Sequence, residues 1–260
     1  MAGVKLNFQW KKLRLNSDFS LPKLIGHRGV KDLKPENTYE SILTAFDLGL
    51  ECVEIDVKIS KDHVPLLLHD DNLDRTTDGS GLVCDYTFDE INKLDAGYYF
   101  YKSKTEIRVP SLSSILDLVK KKQKYLNIEL KPNKNHEELN VKKVLQEIKQ
   151  VSYDQIYFSS FHLSSCVSLK ESAPNMLCGF LNDDFNKINI QDTVDICKKY
   201  NFFSCGINLN FFNSSIINQF MENDIQVTVY SDHNVTKAQA QNLWSNNVAS
   251  IFVDDPSEYF

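Results

Sequence analysis

Residues 24–60 have the sequence LIGHRGVKDLKPENTYESILTAFDLGLECVEIDVKIS, in which a short apolar run, a longer amphipathic stretch and a β-branched run follow one another. This order predicts a strand, a helix and a second strand. The same alternation continues to ASIFVDD at 249–255. We predict eight strands, near residues 24, 53, 125, 156, 176, 204, 226 and 250, with helices between them.

Eight such units predict an α/β fold, and they favour a closed (β/α)8 TIM barrel because right-handed crossovers and a last strand near the terminus permit closure. An open doubly wound sheet is the second fold that fits, although neither G-x-G-x-x-G nor G-x-x-x-x-G-K-[ST] occurs. Residues 71–108 are too many for an ordinary loop between a strand and a helix. Turn signals at Asp78 to Gly81 and aromatic residues at Tyr98–Tyr101 predict a small subdomain inserted there, after strand 2. We therefore predict one barrel domain over residues 1–260, with an inserted subdomain at about 71–108.

Composition places the chain among ordinary folded proteins. Hydrophobic residues make up 42% and charged residues 25% of the 260 positions, and the formal net charge is −6. We therefore expect neither a nucleic-acid surface nor stable membrane insertion. The N-terminal stretch lacks the apolar core of a secretory signal, and six cysteines without a C-x-x-C pair indicate reduced thiols rather than disulfides or a zinc site. We predict a cytoplasmic protein, and its oligomeric state stays open.

Polar residues gather where the predicted strands end, which is the face of a barrel that carries its active site. Glu54 and Asp56 lie two apart on strand 2, so strand alternation points both side chains to one face, and Glu129 ends a later strand. Three carboxylates in one mouth repel each other unless a cation neutralises them, and oxygen ligands favour Mg²⁺ or Ca²⁺ over zinc. The alternative for Glu54 and Asp56 is a solvated or ion-paired strand face.

Two histidines and two basic residues lie at the same predicted strand ends. His27 and His69 each have an ordinary interpretation as hydrogen-bonded structural residues, but beside three carboxylates they are candidates for an acid and a base. Arg28 and Lys131 form surface ion pairs in the ordinary interpretation and bind phosphate oxygens in the functional one. Two such histidines can act as base and acid on opposite sides of a phosphorus centre.

Short motifs occur in a fixed order along the chain: HRG at 27–29, PENT at 35–38, EID at 54–56, HD at 69–70, LDRTTDGSG at 73–81 and ELK at 129–131. Together they resemble the glycerophosphodiester phosphodiesterase family. The resemblance is densest over residues 24–131 and continues through IYFSSF at 156–161, VTVY at 227–230 and VDDP at 253–256. It implies a barrel with a small inserted subdomain that hydrolyses glycerophosphodiesters, such as glycerophosphocholine or glycerophosphoethanolamine, to sn-glycerol 3-phosphate and an alcohol.

The resemblance also implies roles for individual residues and one divalent cation, Mg²⁺ or Ca²⁺. The positions that match the family's are the metal ligands Glu54, Asp56 and Glu129, the acid–base pair His27 and His69, and the phosphate contacts Arg28 and Lys131. In the expected route, one histidine takes the proton of a glycerol hydroxyl that attacks phosphorus, and the other protonates the departing alcohol. Water then opens the resulting cyclic phosphate. Which histidine is the base stays open.

Three other positions carry expectations. Glu36 is either a supporting site residue or part of a helix start, with Asn37 or Thr38 as the cap. Tyr230 stands where the family often has tryptophan, and its ring can face the glycerol moiety. His63 stands where glycine is common, which predicts an altered loop because other residues adopt positive φ reluctantly.

Two further functions fit the sequence. One is a lysophospholipase D, in which Tyr98–Tyr101 receives an acyl chain or a choline head group. Packing of the inserted subdomain onto the barrel is the simpler interpretation of these aromatic residues. The other is a barrel that binds a phosphodiester without cleaving it, for which a missing ligand or histidine would be the sign, and none is missing. We therefore favour an enzyme that acts on a small soluble substrate.

Overall fold

The computed structural model describes residues 19–151 and 155–260. Within these residues, eight parallel strands and one antiparallel strand form a single sheet. In chain order the strands are β1 (Leu24–Gly26), β2 (Cys52–Ile59), β3 (Pro65–Leu67), β4 (Tyr125–Leu130), β5 (Ile156–Ser160), β6 (Cys178–Asn182), β7 (Ser204–Asn208), β8 (Gln226–Tyr230) and β9 (Ser250–Val253).

The sheet closes into a barrel at β1. This strand pairs in parallel with β9 on one side and with β2 on the other, so that Gly26 lies opposite both Val253 and Val53. An open sheet would leave two unpaired edges, whereas closure removes them. The predicted (β/α)8 TIM barrel is confirmed, and the open doubly wound sheet is excluded.

Helices follow the strands at the places where amphipathic stretches predict them. The first begins at Thr38, whose hydroxyl accepts a hydrogen bond from the backbone N–H of Ser41 at 3.2 Å, so one of the two predicted caps is confirmed. The buried helix faces and the outward faces of the strands form the main core. In the described residues the α-helices are α1 (Tyr39–Asp47), α2 (Phe88–Ile91), α3 (Tyr98–Tyr101), α4 (Leu112–Lys122), α5 (Glu137–Val151), α6 (Leu163–Ser172), α7 (Ile190–Tyr200), α8 (Ser214–Met221) and α9 (Lys237–Ser245).

The barrel interior changes from apolar to polar along the same strands. At the end where the strands begin, which we call the floor, Cys52 and Tyr157 are buried in an apolar cluster. Phe19 packs there, with its ring centroid 5.2 Å from that of Tyr125 and 5.7 Å from that of Tyr157. At the other end, which we call the mouth, the inward row of β2 continues with Glu54.

β2 extends past the barrel, and β3 folds back against its last three residues. The turn between them contains His63 with a φ of 64°. His63 therefore has the positive φ that residues other than glycine adopt reluctantly. Because β3 is antiparallel, it returns toward the mouth and leaves His69 there. His69 thus follows a short strand, as the run VPLLLHD predicts, but this strand is antiparallel to the eight barrel strands, a direction that a short apolar run does not show.

Residues 71–108 pack as a small layer beside β3. Lys58, which is 1% exposed near the end of β2, donates to Oδ1 of Asp71 at 2.7 Å and so anchors the start of this layer. A separate cluster of buried apolar residues holds the layer together, formed by Leu66, Leu68, Leu73, Val83, Ile91, Ala96 and Val109. The boundaries of a subdomain at about 71–108 stay a prediction.

The aromatic residues of α3 face solvent. Tyr98, Tyr99, Phe100 and Tyr101 are 41%, 53%, 40% and 40% exposed, and none of them is buried. About half of each side chain is covered, so this exposure does not contradict packing of the inserted subdomain onto the barrel, which stays a prediction. One helical turn points four successive side chains in different directions, so a single neighbouring surface does not cover them all.

The cysteines and the helix lengths agree with the composition. All six cysteines are free thiols, and five of them are buried. This confirms the prediction of unpaired thiols. Among the residues that the structure describes, no helix combines the length and the apolar character that crossing a membrane requires.

Candidate active site

Three carboxylates converge in the barrel mouth. β2 and β4 pair so that Asp56 lies opposite Glu129, and Glu54 points the same way two residues before Asp56. One oxygen atom from each of the three lies within 4.8 Å of the other two. All three residues are buried, at 3% exposure for Glu54, 1% for Asp56 and 8% for Glu129. The structure thus brings the predicted metal ligands together.

The three carboxylates differ in how readily they ionise. Burial raises the pKa of Glu54 well above its ordinary value, and the charges of Asp56 and Glu129 raise it further. Burial also raises the pKa of Glu129. Burial acts on Asp56 in the same direction, but Lys131 and Arg28 outweigh it and hold the pKa of Asp56 below its ordinary value. Lys131 and Arg28 therefore stabilise the ionised form of Asp56, whereas the ionised forms of Glu54 and Glu129 are disfavoured.

The donor set fits a hard divalent cation. Oε1 of Glu54 is buried without a hydrogen-bond partner among the described residues, although a buried carboxylate oxygen normally has one. Oε2 of Glu54 accepts a hydrogen bond from the backbone N–H of Arg28 at 3.0 Å. Arg28 pairs with Asp56, and Lys131 pairs with Asp56 and Glu129, whereas no side-chain cation among the described residues forms an ion pair with Glu54. Carboxylate oxygens are the ligands that Mg²⁺ and Ca²⁺ prefer.

The turn after β1 places Arg28 against the acidic cluster. Arg28 and Gly29 both have positive φ, 52° and 84°, and a Cβ atom on Gly29 would lie 2.4 Å from Oγ of Ser41. The Ser41 hydroxyl donates to the carbonyl oxygen of Arg28 at 3.0 Å and so fixes the turn. Nη1 of Arg28 then donates to Glu36 at 2.8 Å, and its Nε lies 3.2 Å from Oδ2 of Asp56.

Lys131 approaches the cluster from β4. Its Nζ lies 2.8 Å from Oε1 of Glu129 and 3.3 Å from Oδ1 of Asp56. The ammonium group also lies 5.6 Å from the ring centroid of Phe161. Burial lowers the pKa of Lys131, but the two carboxylates outweigh burial and hold this pKa above its ordinary value. Lys131 and Arg28 therefore both keep their charge at the mouth.

Each of the two predicted histidines is paired with an aspartate. Nδ1 of His27 lies 2.7 Å from Oδ1 of Asp254, and Nδ1 of His69 lies 2.6 Å from Oδ1 of Asp70. An ionised carboxylate only accepts hydrogen bonds, so this network assigns the proton to Nδ1 in each ring and leaves Nε2 as an acceptor. Burial lowers the pKa of both histidines, which favours the neutral ring at neutral pH.

One cavity of about 400 Å³ connects these groups. Tyr230 and Phe161 give it aromatic surface, with ring centroids 5.5 Å apart in an edge-to-face arrangement. Of the predicted site residues, Asp56 lies within the acidic cluster behind the cavity. The others line the cavity: His27, Arg28, Glu36, Glu54, His69, Glu129, Lys131 and Tyr230.

Three residues that contact the site were not predicted. Asn37 donates its Nδ2 to Oδ2 of Asp56 at 2.8 Å and accepts from the backbone N–H of Asp56 at 3.1 Å. Asp254 orients His27, and its place just after β9 is a strand-end signal that could have identified it. Arg75 contacts the rim of the site from the inserted segment, and its place in LDRTTDGSG, one of the motifs of the resemblance, is the signal that could have identified it.

Comparisons with known proteins identify the family of this chain. The model of the glycerophosphoryl diester phosphodiesterase family matches residues 27–258. A glycerophosphodiester phosphodiesterase of Bacillus altitudinis is 27% identical over 245 residues, which cover 91% of this chain and 96% of the relative. One from Caldanaerobacter subterraneus subsp. tengcongensis is 35% identical over 159 residues, which cover 61% of this chain and 65% of the relative.

A solved structure is similar over nearly the whole fold. It is a phosphodiesterase of Oleispira antarctica in complex with the product sn-glycerol-3-phosphate, with a TM-score of 0.84 at 28% identity. The match covers 90% of this chain and 93% of that one. The chain therefore belongs to the glycerophosphoryl diester phosphodiesterase family, as its motifs predict.

Proposed function

We propose that this chain, an enzyme of the phosphoric diester hydrolase class, cleaves glycerophosphodiesters such as glycerophosphocholine or glycerophosphoethanolamine to sn-glycerol 3-phosphate and an alcohol. The observation that carries the proposal is one cavity lined by two histidines, each hydrogen-bonded at Nδ1 to an aspartate, next to a buried acidic cluster. Two imidazoles on one cavity can serve as base and acid on the same substrate.

Arg28 and Lys131 would bind the phosphate oxygens. Nη1 of Arg28 donates to Glu36, while its Nη2 has no hydrogen-bond partner among the described residues and stays available for an anion. Glu36 is therefore a supporting residue that holds the guanidinium in place. Tyr230 would contribute a ring surface to the glycerol part of the substrate, next to Phe161.

Glu54, Asp56 and Glu129 would hold one divalent cation, Mg²⁺ or Ca²⁺. Such a cation neutralises charge on the phosphodiester and polarises its phosphorus–oxygen bonds. The unpartnered Oε1 of Glu54 supports this assignment, because a bound cation would satisfy it.

His27 and His69 would move the protons. One ring accepts at Nε2 the proton of the glycerol hydroxyl next to the phosphoester, and the freed oxygen attacks phosphorus. Because burial favours the neutral form, the second ring must first take up a proton from solvent at Nε2. The phosphorus–oxygen bond to the alcohol then breaks, and this ring gives that proton to the leaving oxygen. Water then opens the cyclic phosphate with the two rings in exchanged roles. Asp254 and Asp70 keep each ring in its orientation throughout.

The test of the function is the release of sn-glycerol 3-phosphate and choline from glycerophosphocholine by the purified protein. The reactions contain Mg²⁺, Ca²⁺ or EDTA, and they compare His27→Ala with the matched control His136→Ala, a histidine that binds the carbonyl oxygen of Lys134 instead. Cation-dependent release that is lost only in His27→Ala supports the proposal. Absence of release with either cation contradicts it.

An analogue of glycerophosphocholine that lacks the hydroxyl next to the phosphoester tests the cyclic route. If that hydroxyl is the nucleophile, the analogue binds and stays intact. Cleavage of the analogue at the rate of glycerophosphocholine would show that water attacks phosphorus directly.

Lysophospholipids are the second candidate substrate, and the exposed aromatic residues of α3 favour them. Tyr99 and Phe100 offer apolar surface outside the cavity, which an acyl chain can contact. Choline release from lysophosphatidylcholine tests this activity. The double variant Tyr99→Ser with Phe100→Ser should lower that rate and leave glycerophosphocholine hydrolysis unchanged. Equal rates in the variant and the wild type would remove the role of α3.

A cytoplasmic location also stays a proposal. It is supported by six free thiols, which are typical of proteins in a reducing compartment. Cell fractionation tests it, and recovery of the protein from an oxidising compartment would contradict it.

A further inference from the structure

Arg75 spans the rim of the cavity from the inserted segment. Its Nε and Nη2 donate to the two carboxylate oxygens of Asp70 at 2.6 and 3.0 Å. Its Nη1 and Nη2 donate to the two oxygens of Glu36 at 2.7 and 2.8 Å. One guanidinium group therefore binds both oxygens of two carboxylates, a geometry that the planar fork of arginine permits and lysine does not.

Each of these carboxylates also contacts a residue of the proposed chemistry. Oε1 of Glu36 accepts from Nη1 of Arg28 at 2.8 Å. Oδ1 of Asp70 accepts from Nδ1 of His69 at 2.6 Å. A continuous chain of hydrogen bonds thus runs from Arg28 through Glu36, Arg75 and Asp70 to His69. It links the turn after β1 with the end of the β3 hairpin, two parts of the mouth that are far apart in sequence.

Arg75 itself has little capacity left for a substrate. Its four hydrogen bonds use four of the five N–H groups of a guanidinium. Arg28 differs, because its Nη2 is unused among the described residues. The geometry therefore separates two roles, in which Arg28 is open to an anion and Arg75 is occupied by protein carboxylates.

The opposite histidine has no equivalent connection among the described residues. Asp254, which pairs with His27, is held by Nζ of Lys31 at 2.8 Å. Lys31 thus holds Asp254 in place. The second carboxylate near its Nζ belongs to Asp32, at 3.8 Å, and not to a predicted site residue. The connection between an acid–base histidine and a phosphate-binding arginine is therefore specific to the Arg75 side of the mouth.

We propose that Arg75 is a positioning residue that holds His69 and Arg28 in a fixed relation through Asp70 and Glu36. This inference rests on the proposed function, because it concerns how that site is held in its reactive geometry. Without Arg75, Asp70 keeps one hydrogen bond to His69 but loses the fork that fixes its own orientation. The ring of His69 then samples more orientations, and fewer of them place Nε2 for proton transfer.

The kinetic test compares Arg75→Ala and Arg75→Lys with Arg108→Ala, a control in the same segment whose guanidinium contacts Glu106 at 3.1 Å. We expect Arg75→Ala to lower kcat about 10- to 100-fold, as loss of a supporting partner typically does, with much less change in KM. Arg75→Lys should keep a kcat between those of Arg75→Ala and the wild type. Arg108→Ala should leave kcat unchanged. A raised KM with unchanged kcat would show that Arg75 does not position His69 and would overturn the proposal.

Chemical rescue separates positioning from a general loss of structure. Free guanidinium at concentrations far below those that denature proteins can bind between Glu36 and Asp70 in the space that Arg75→Ala opens. We expect it to restore part of kcat, whereas sodium at equal ionic strength should not. Equal effects of the two salts would contradict the role of the fork.

A measurement without substrate keeps the inference testable if the proposed function fails. Imidazole nitrogen NMR at one neutral pH reports the Nδ1–H tautomer of His69, which is assigned by comparison with His69→Gln. We expect Arg75→Lys to shift or broaden the His69 signals and to leave those of His27 unchanged. Unchanged signals of His69 would overturn the proposal whether or not the protein is active.

Discussion

The floor and the mouth of the barrel lie on the same strands, yet their buried residues have opposite consequences. At the floor, Cys52 and Tyr157 lie in an apolar cluster that Phe19 covers. Two residues further along β2, Glu54 is just as buried but is a carboxylate with one unpartnered oxygen, whereas the unpartnered atom at the floor is the neutral hydroxyl of Tyr157. Burial stabilises the fold at the floor, whereas at the mouth it leaves carboxylates poorly solvated.

This difference shows how the barrel separates stability from chemistry. The main core and the floor supply apolar burial, which lets the mouth retain groups that destabilise the fold on their own. Perturbed ionisable groups concentrate at the mouth, as is typical of functional sites. Changes at the mouth should therefore alter turnover, and changes at the floor should alter unfolding.

The largest expected effect is at the mouth. His27→Ala and His69→Ala should each lower kcat about 10²- to 10⁴-fold, because a positioned acid or base contributes that much. Neither change removes apolar burial from the core, so the midpoint of thermal unfolding should stay close to that of the wild type. Steady-state kinetics and calorimetry on the same samples check both parts. Full activity in either variant would refute its role.

A change at the floor should do the reverse. Phe19→Ala removes a ring that contacts Tyr125 and Tyr157. We expect the free energy of unfolding to fall by about 2–3 kcal/mol, near the low end for loss of a packed aromatic ring, because Phe19 is partly exposed. Urea denaturation measures the loss. The kcat per folded molecule should not change. A fall in kcat without a loss of stability would contradict the assignment of stability to the floor and chemistry to the mouth.

A smaller effect is expected above the mouth, where β2 leaves the barrel. Asp71→Asn weakens the contact to the buried Lys58, and we expect a loss of about 1–2 kcal/mol in the free energy of unfolding. The control is Asp47→Asn, which weakens the surface ion pair with Lys122 and should cost about 0–1 kcal/mol. Equal losses in the two variants would show that burial of Lys58 does not strengthen its contact.

The smallest effect concerns pH. Hydrogen bonds from Arg75 and His69 hold the pKa of Asp70 below its ordinary value. This group therefore stabilises the fold above its unfolded pKa of about 4, and the contribution is lost as pH falls through the lower folded pKa. Glu54 and Glu129 have raised pKa values and act with the opposite sign.

A difference measurement isolates the contribution of Asp70. The free energy of unfolding of the wild type minus that of Asp70→Asn should shrink as pH falls below about 4, because Glu54 and Glu129 titrate in both proteins. Urea denaturation at a series of pH values measures it. A difference that does not depend on pH would contradict the lowered pKa of Asp70.

The fold could be predicted because its signal repeats. Apolar residues recur with one spacing in strands and another in helices, so the two kinds of element can be told apart. Eight strand–helix units in succession are compatible with few topologies. The direction of β3 could not be predicted, because three apolar residues do not indicate which way a strand runs. The exposure of Tyr98–Tyr101 could not be predicted either, because one helical turn points four successive side chains in different directions.

The site could be predicted to the extent that its residues follow strand ends. Glu54, Asp56 and Glu129 are brought together by the alternation of two paired strands. Asp254 ends a strand in the same way but occurs as a single carboxylate, which is weak evidence in a sequence. Arg75 reaches Glu36 across 39 residues, and such a contact depends on the path of a loop.

The central claim is that the acidic cluster at the mouth destabilises the fold without a cation and binds one. Its most direct test is thermal unfolding of the wild type and of Glu129→Gln in EDTA and with increasing Mg²⁺ or Ca²⁺. Ligand binding to the folded state alone stabilises it by about 2.7 kcal/mol at a hundred times the dissociation constant. We predict that the unfolding midpoint of the wild type rises with the cation and that Glu129→Gln responds weakly or not at all. Equal responses in the two proteins, or none in the wild type, would contradict the assignment of the acidic cluster.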